Sequence, residues 1–300
     1  MSRKVAIYLN ARAGAVLDGG VKRVQEAISE GLHTSDHLDF RVFTPRQLRE
    51  AIALIPQTDI DVVLIGGGDG SVNAAAQAMV GTDKVLGVLP FGTLNLLARD
   101  LGVPTDPHGA IAALARSEIR SIDLATLNGH YFHSMSGIGF FSQMARAREE
   151  SRGLPGQFLR MAGASFRAFS RTGRLSISIE ADGRDETTDA YALLITCNQF
   201  AQEGWRRPSL QGGVLEVHVA RDRGVLDRLT AATDLLTGRW RDNPGITSFT
   251  AKCVKVASTR RRIWASTDGE LSRESIPLNY AIRPNSLKVL MAKAPVTAPP

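Results

Sequence analysis

The sequence predicts two domains, an α/β N-terminal domain built on a parallel sheet and a C-terminal antiparallel β-sandwich. Up to about residue 122, short apolar runs alternate with helix-like runs, and these apolar runs are continuous, as in parallel strands covered on both faces. Beyond residue 122, strand-like runs dominate, and several of them alternate apolar with polar residues. The length of 300 residues also suits two domains, at about 100–200 residues each.

The N-terminal domain is assigned to residues 1–122. Strands are predicted at residues 5–9, 39–43, 61–65 and 84–89. Helices are predicted at residues 21–31, 47–55, 72–80, 95–101 and 107–116. Each strand but the last is thus followed by one helix, which favours right-handed crossovers and a parallel sheet.

The C-terminal domain is assigned to residues 123–293, and the proline-containing tail 294–300 is predicted to be disordered. Turns are predicted at Asn128-Gly129, Asp182-Gly183 and Asp268-Gly269, which are hairpin signals. Strands are predicted at 122–127, 131–136, 175–181, 191–197, 213–220, 249–257, 262–265, 278–283 and 286–291. Two helical inserts are predicted at 141–170 and 225–237.

The composition is that of an ordinary globular protein, with 43% hydrophobic and 22% charged residues. It excludes a collagen, a disordered chain and a small disulfide-rich scaffold. The net charge of +6 indicates an anionic partner, which could be a nucleotide, a membrane surface or a nucleic acid. The two cysteines, Cys197 and Cys253, have no partner at zinc-ligand spacing, and no apolar run is long enough to span a membrane. We therefore expect a cytoplasmic protein.

The stretch from Gly66 to Asn73 follows a buried-looking strand and places four glycines in five positions at the start of a helix. Glycines let the backbone pass close to a ligand, and a helix N-terminus favours a phosphate. The pattern predicts a nucleotide site; a plain strand-to-helix turn with Ser71 as its N-cap is the alternative. No P-loop lysine is present, and the expected strand ends in Pro90 rather than in a ribose-binding acid, which disfavours P-loop and ordinary dinucleotide folds. Asp69 would repel a phosphate directly, so we expect it to position a metal ion, a water or the loop itself.

Two further polar loops follow predicted strands. Gly92, Thr93 and Asn95 follow the fourth strand, and Asn10, Arg12 and Gly14 follow the first. Because the carboxyl ends of parallel strands share one edge of a sheet, the three loops are expected to converge on one ligand crevice.

Three groups of residues together resemble the diacylglycerol kinase catalytic-domain family, which includes bacterial lipid kinases, sphingosine kinases and ceramide kinases. The groups are Gly67-Gly68-Asp69-Gly70-Ser71, Pro90-x-Gly92-Thr93-x-Asn95-x-x-Ala98-Arg99 and Asp268-Gly269-Glu270. The resemblance implies an α/β domain and a β-sandwich, with ATP and magnesium bound in a cleft between them. It assigns these residues to nucleotide binding: Asn10, Arg12, Gly14, Thr44, Gly67, Gly68, Asp69, Gly70, Ser71, Asn73, Gly92, Thr93 and Asn95.

The Asp-Gly-Glu motif supplies the family's general base, and phosphoryl transfer to a hydroxyl does need a carboxylate that accepts the proton. A solvated hairpin tip is the alternative for Asp268 and Glu270. Either acid could be the base. We favour Glu270, with Asp268 and Asp69 near the phosphate and metal.

The chain departs from the family at two positions. Leu96 stands where many members have an aspartate near magnesium, so catalytic magnesium is expected to depend more on Asp69. Gly212 stands where the family often has an aspartate for a structural metal, so that second metal site is not expected.

The stretch 143–174 carries seven arginines against two glutamates, a net charge of 7 − 2 = +5, with apolar residues interleaved. This pattern is typical of a peripheral contact with an anionic membrane, although a solvated basic helix would have the same composition.

The leading hypothesis is therefore an ATP-dependent lipid kinase acting on diacylglycerol or a ceramide- or sphingoid-type lipid at a membrane surface. A soluble kinase of the NAD kinase type, which shares the Gly-Gly-Asp-Gly loop, is the alternative. A nucleic-acid-binding module is disfavoured because no extended basic and aromatic surface is evident. The sequence is also compatible with a homodimer.

Overall fold

The computed structural model describes residues 3–14, 26, 38–92, 95–150, 172–201, 206–222, 224, 227–228, 230, 233–234 and 237–293. Nearly all of the helix predicted at 21–31, residues 151–170 of the first helical insert and the tail 294–300 lie outside these residues, as does about half of the insert predicted at 225–237. The chain divides into two compact units. The first comprises Met1–Ile122 and Asn285–Pro300, and the second comprises Asp123–Pro284.

The first unit contains a parallel sheet with the strand order β2-β1-β3-β4. The strands are β1 (Val5–Asn10), β2 (Leu38–Phe43), β3 (Val62–Gly67) and β4 (Val85–Pro90). Every residue of β3 and of β4 is buried, as continuous apolar strands covered on both faces require. The end of the last strand, β15 (Leu278–Met291), extends this sheet in parallel, with Lys288 opposite Val85.

Four α-helices of the first unit are described: α1 (Pro45–Leu54), α2 (Asp69–Met79), α3 (Leu96–Asp100) and α4 (Pro107–Ala115). A short 3₁₀ turn, Ile55–Gln57, follows α1. Leu48 and Ile52, one turn apart on α1, are both buried, so the helix presents a single apolar face to the core. The Asp106 side chain caps α4 by accepting the Gly109 N–H at 2.6 Å.

The second unit is an antiparallel β-structure. Its strands are β5 (Glu118–Leu127), which starts in the first unit, β6 (His130–Phe132), β7 (Met135–Gly139), β8 (Leu175–Ala181), β9 (Arg184–Cys197), β10 (Leu215–Arg221), β11 (Ile246–Ala251), β12 (Cys253–Ser258), β13 (Arg262–Thr267), β14 (Glu270–Ser275) and the first part of β15. Strand neighbours run β14-β13-β7-β9-β8-β12-β15, while β10 pairs with β9 and β11, and β5 pairs with β6 and β15. One helix, α5 (Phe140–Glu150), packs against β7, β9, β13 and β14. The predicted fold class is confirmed: a parallel α/β unit is followed by an antiparallel sandwich-like unit.

The three predicted asparagine- or aspartate-glycine turns are all two-residue hairpin turns. They join β5 to β6, β8 to β9 and β13 to β14, and in each the residues on either side of the turn face one another. Asn128, Asp182, Asp268 and the glycines after them have positive φ. Two successive residues of positive φ match the right-handed twist of the flanking strands, as in a type I′ turn.

Several strand predictions differ from the structure. The run at 131–136 is two strands, and the run at 249–257 divides into β11 and β12 around Lys252, whose N–H is donated to Asp182. The runs at 278–283 and 286–291 are one strand, β15, whose end belongs to the first unit, whereas the sequence analysis assigned residues 285–293 to the second domain. Strand β14 escaped prediction because its sequence is largely polar and only its pairing with β13 makes it a strand.

No helix in the described part of the chain is long and apolar enough to cross a membrane.

Gly139 provides a test of the second unit's packing. Its φ is +68°, and an added Cβ would lie 2.2 Å from the Tyr191 carbonyl oxygen. We expect Gly139→Ala to lower the free energy of unfolding by about 2–4 kcal/mol, since it combines a strained φ with a backbone clash. Gly129→Ala is the matched control, because φ there is +88° with open space around it, and it should cost only about 1 kcal/mol. Urea unfolding followed by tryptophan fluorescence measures both, and equal losses would contradict the prediction.

Candidate active site

The loops after β1, β3 and β4 meet at one edge of the first unit's sheet, as expected. The Gly14 N–H is donated to the Phe91 carbonyl oxygen at 3.1 Å, which joins the first loop to the third. The Asn10 amide reaches the Ser71 hydroxyl at 3.5 Å, which brings the first loop to the second. The carboxyl ends of three neighbouring parallel strands thus form one polar crevice, the usual ligand position in such sheets.

The Asp69 carboxylate links the second loop to the third. Its Oδ2 accepts the Asn95 N–H at 3.1 Å, and its Oδ1 accepts the Leu96 N–H at 2.8 Å. These are N–H groups at the start of α3, which the helix itself leaves without an acceptor. Of the roles considered for Asp69, the structure thus displays the positioning of the loop.

The Asn95 side chain is turned into its own loop. Its Oδ1 accepts the Gly92 N–H at 2.9 Å, and its Nδ2 donates to the carbonyl oxygens of Pro90 and Gly92 at 3.1 and 3.0 Å. The residue has φ +50°, and only 7% of its surface is exposed. The amide therefore shapes the loop in this conformation instead of extending toward a ligand. Thr93 lies outside the described residues.

The glycines allow the second and third loops to touch through their backbones. A Cβ on Gly92 would lie 2.5 Å from the Gly68 Cα, and a Cβ on Gly67 would lie 2.9 Å from the Ser71 side chain. Any side chain at Gly92 would force the loops apart. The glycine-rich pattern therefore has a packing cause in addition to any approach of a ligand.

The N-terminus of α2 offers backbone donors to an anion. Its N-cap, Gly68, is extended and provides no side-chain cap, and Gly70 lies in the first turn. A helix N-terminus with free N–H groups and a positive dipole end is suited to a phosphate. One turn further on, Asn73 is buried, and its Oδ1 has no hydrogen-bond partner within the described residues.

Arg12 and Thr44 have different surroundings. Arg12 is exposed, and its backbone N–H is donated to Asn10 Oδ1 at 3.0 Å. Thr44 caps α1 in a reciprocal capping box, in which the Gln47 N–H is donated to its hydroxyl and its own N–H to Gln47 Oε1 at 3.1 Å. The spacing Thr-x-x-Gln is a sequence signal for this cap, and the sequence analysis did not use it.

In the second unit, the Asp268 carboxylate accepts three backbone N–H groups. They belong to His133, Ser134 and Met135, at 2.9, 3.0 and 3.1 Å. His133 and Ser134 lie between β6 and β7, and Met135 is the first residue of β7. The carboxylate thus accepts backbone N–H groups where the chain leaves β6 and enters β7, which explains the break in the strand predicted at 131–136. The side chain is fully buried, so in this conformation Asp268 supports the backbone.

Two residues that the sequence analysis missed lie at or next to this carboxylate. His133 Nε2 lies 3.5 Å from Asp268 Oδ2, and both side chains are fully buried. The buried Arg207 guanidinium donates to the carbonyl oxygens of His133 and, at 3.0 Å, of Cys197. No local pattern marks either residue, because their roles depend on strands far apart in the sequence.

Glu270 begins β14 opposite Thr267 and is exposed. Beneath it, hydroxyls form a chain: Thr267 Oγ1 lies 2.9 Å from Ser136 Oγ, which lies 3.3 Å from the Tyr280 hydroxyl. Burial raises the pKa of Tyr280, so its phenol stays protonated at neutral pH. The motif thus presents one solvent-exposed carboxylate on a turn held by a buried one.

The donors around the nucleotide loops fit a magnesium ion that is held mainly by phosphate oxygens. Across the described residues, no group of three or more histidine, cysteine, aspartate or glutamate side chains could hold a metal. Magnesium commonly takes one or two protein carboxylates together with substrate phosphates, a pattern that Asp69 alone can serve. Gly212 is the position where the family often has an aspartate for a structural metal. A Cβ there would lie 2.9 Å from Asn198 Oδ1, and the neighbouring Gly213 N–H is donated to Asp123 at 2.8 Å.

The parallel sheet carries glycine-rich loops suited to phosphate, and the antiparallel unit that follows it presents an exposed carboxylate. These features are typical of an enzyme that transfers a phosphoryl group. The family profile "Diacylglycerol kinase catalytic domain" matches residues 4–127, and "YegS C-terminal NAD kinase beta sandwich-like domain" matches residues 135–291. The chain belongs to the diacylglycerol kinase catalytic-domain family. It is therefore a kinase whose phosphoryl acceptor is an alcohol group, and membership implies that it uses ATP.

Individual proteins are also similar to this chain. An uncharacterized protein of Synechocystis is 27% identical over 90% of this chain and 67% of its own length. A protein of Bacillus subtilis named diacylglycerol kinase is 25% identical over 71% of this chain and 72% of its own. The crystal structure of a diacylglycerol kinase from Bacillus anthracis has the same fold, with a TM-score of 0.74, 16% identity and 98% coverage of both chains.

The contact between Gly68 and Gly92 can be tested by Gly92→Ala. We expect a loss of about 1–3 kcal/mol in the free energy of unfolding, since the new methyl group meets backbone that has no space to move. Gly14→Ala is the control, because a Cβ there would lie 3.7 Å from its nearest neighbour, an ordinary contact. Far-ultraviolet circular dichroism during urea unfolding measures both variants. A Gly92→Ala protein as stable as the parent would contradict the close approach of the loops.

Proposed function

We propose that this protein is a lipid kinase that transfers the γ-phosphoryl group of ATP to the hydroxyl of diacylglycerol or of a ceramide- or sphingoid-type lipid. The observation that carries the proposal is the pairing of two features: an uncapped helix N-terminus among converging glycine loops, and an exposed carboxylate on a rigid turn. A phosphoryl transferase needs the first for the donor and the second for the acceptor. The names of the relatives favour a lipid as the acceptor.

On the donor side, the first-turn N–H groups of α2 would bind phosphate oxygens, and the exposed guanidinium of Arg12 would add positive charge. Magnesium, held by Asp69 together with phosphate oxygens, would supply further charge neutralisation. Asp69 also fixes the start of α3, so the same carboxylate would couple the shape of the third loop to the bound phosphate.

On the acceptor side, Glu270 would accept the proton of the lipid hydroxyl. The hydroxyl oxygen forms a bond to the γ-phosphorus, the bond from that phosphorus to the bridging oxygen breaks, and ADP leaves with the electron pair. Asp268 acts as a positioning residue, because its carboxylate holds the turn from which Glu270 projects.

Peripheral membrane contact through the basic stretch 143–174 stays a prediction, as do the cytoplasmic location and the homodimer. Much of that stretch lies outside the described residues. Two of its arginines are described with partners: Arg146 lies 3.3 Å from Glu150, and Arg174 lies 3.3 Å from Asp189 and from Asp222.

The acceptor is tested by incubating the purified protein with γ-labelled ATP and magnesium. Mixed micelles carry diacylglycerol, ceramide or sphingosine, and NAD serves as a soluble acceptor. We expect label in phosphatidic acid or in a ceramide or sphingoid phosphate. Label only in NADP would establish the soluble-kinase alternative, and the absence of label in every lipid would overturn the proposal.

The roles of the two acids are separated by Glu270→Gln and Asp268→Asn. Glu270→Gln should lower kcat by about 10²–10⁴-fold with little loss of stability, because the residue is exposed and an amide cannot accept the proton. Asp268→Asn should instead lose about 2–4 kcal/mol of stability, since an amide NH₂ would face buried N–H donors.

Glu274→Gln is the matched control on the same strand. Its carboxylate accepts from Asn128 at 3.0 Å, and the variant should keep full turnover. Turnover and urea unfolding are measured on all three variants. An active Glu270→Gln enzyme would remove Glu270 from the mechanism.

A further inference from the structure

The hairpin formed by β13 and β14 has one face that carries an exposed tryptophan among arginines. Along β13, Arg262 and Trp264 alternate with the buried Ile263 and Ala265. Trp264 stands directly opposite Arg273 of β14, and 40% of its surface is exposed. Strand β14 lies at the end of the strand order, so the hairpin forms an edge. Arg260 and Arg261, in the loop before β13, are also exposed.

This basic face has no acidic side chain of its own. The other hairpin residues on it are Ser266, Leu271 and Ser275, whereas Glu270 and Glu274 pair with Thr267 and Ile263 on the opposite face. Within the described residues, none of Arg260, Arg261, Arg262 and Arg273 forms a salt bridge. Two arginines on the face of Trp264 and two more in the adjoining loop are thus left for an external partner.

Helix α5 covers one end of the same face. Ser266 pairs with Gly137 of β7, and a Cβ on Gly137 would lie 2.6 Å from the Phe141 side chain of α5. The helix therefore lies over the Ser266 end and leaves Trp264 exposed. The basic stretch 143–174 begins within α5, so the face adjoins the start of the segment already predicted to meet a membrane.

We propose that this face, formed by Arg262, Trp264 and Arg273 and extended by the exposed loop residues Arg260 and Arg261, docks on an anionic lipid surface. Tryptophan is suited to the boundary between lipid headgroups and acyl chains, because its ring is apolar and its N–H is polar. Arginines near an anionic surface each strengthen binding by about fivefold. The choice of a lipid surface over a nucleic acid rests on the proposed function, since a lipid kinase must reach an acceptor held in a bilayer.

The test is sedimentation of the full chain with vesicles, without ATP. One vesicle preparation is phosphatidylcholine alone, and the other is equal parts phosphatidylcholine and phosphatidylglycerol. The parent should bind the anionic vesicles preferentially. Arg260→Glu/Arg273→Glu should weaken that binding by at least about tenfold, and Trp264→Ala should weaken it on both preparations.

Two controls match these variants in charge and in loss of apolar surface. Arg49→Glu/Arg116→Glu reverses the charge at two exposed positions of the first unit. Leu54→Ala removes an exposed large apolar side chain of the same unit. Both controls should bind vesicles like the parent. Circular dichroism shows whether each variant is folded. If Trp264→Ala does not fold, the result for Arg260→Glu/Arg273→Glu alone decides the test.

The outcomes separate this inference from the proposed function. If the hairpin variants bind anionic vesicles as tightly as the parent, the docking face is wrong, whatever the kinase assay gives. If they lose affinity for a single-stranded oligonucleotide while vesicle binding is unchanged, the face binds nucleic acid and the inference is overturned. If vesicle binding depends on the face but no lipid is phosphorylated, docking stands and the lipid-kinase proposal fails.

Phosphorylation of a water-soluble short-chain diacylglycerol should be unchanged in the hairpin variants, because they alter docking only.

Discussion

Two aspartate carboxylates, one in each unit, satisfy buried or helix-terminal backbone N–H groups, and each fixes the backbone of one candidate functional segment. Asp69 accepts two N–H groups at the start of α3, and Asp268 accepts three from the residues that link β6 to β7 and begin β7. A backbone N–H removed from water without an acceptor costs about 1–3 kcal/mol, so each carboxylate stabilises an irregular segment that sheet pairing leaves unbonded. The loops that would bind phosphate and the turn that presents Glu270 take their shapes from these contacts.

This arrangement separates positioning from chemistry inside one short motif. In Asp268-Gly269-Glu270, the first acid is buried beneath the turn and the second is exposed at the start of β14. The intervening glycine has φ +83°, and together with Asp268 it reverses the chain in two residues. A rigid support under an exposed carboxylate limits the positions that carboxylate can take, which is what proton transfer to a fixed base requires.

The same hairpin connects the candidate chemistry to a proposed membrane contact. One face carries Glu270 and Glu274 together with the buried Ile263 and Ala265, and the other face carries Trp264 and Arg273. Because side chains alternate along a strand, one two-stranded element can serve a catalytic carboxylate on one face and a lipid surface on the other.

Local sequence patterns were enough to predict the fold class, the three hairpin turns and the convergence of the loops after β1, β3 and β4. Strand periodicity predicts the fold class and glycine positions predict the turns, while the common edge of a parallel sheet predicts the convergence of the loops; all three follow from residues close together in the sequence. It could not separate the roles of Asp268 and Glu270, which have the same chemistry and lie two residues apart. Their difference arises from burial against His133 and Ser134, more than 130 residues away in sequence. Likewise, the polar segment β14 is a strand only because it pairs with β13. The end of β15 belongs to the first unit because it pairs with β4. Contacts between distant segments decided these features, since no local preference distinguishes them.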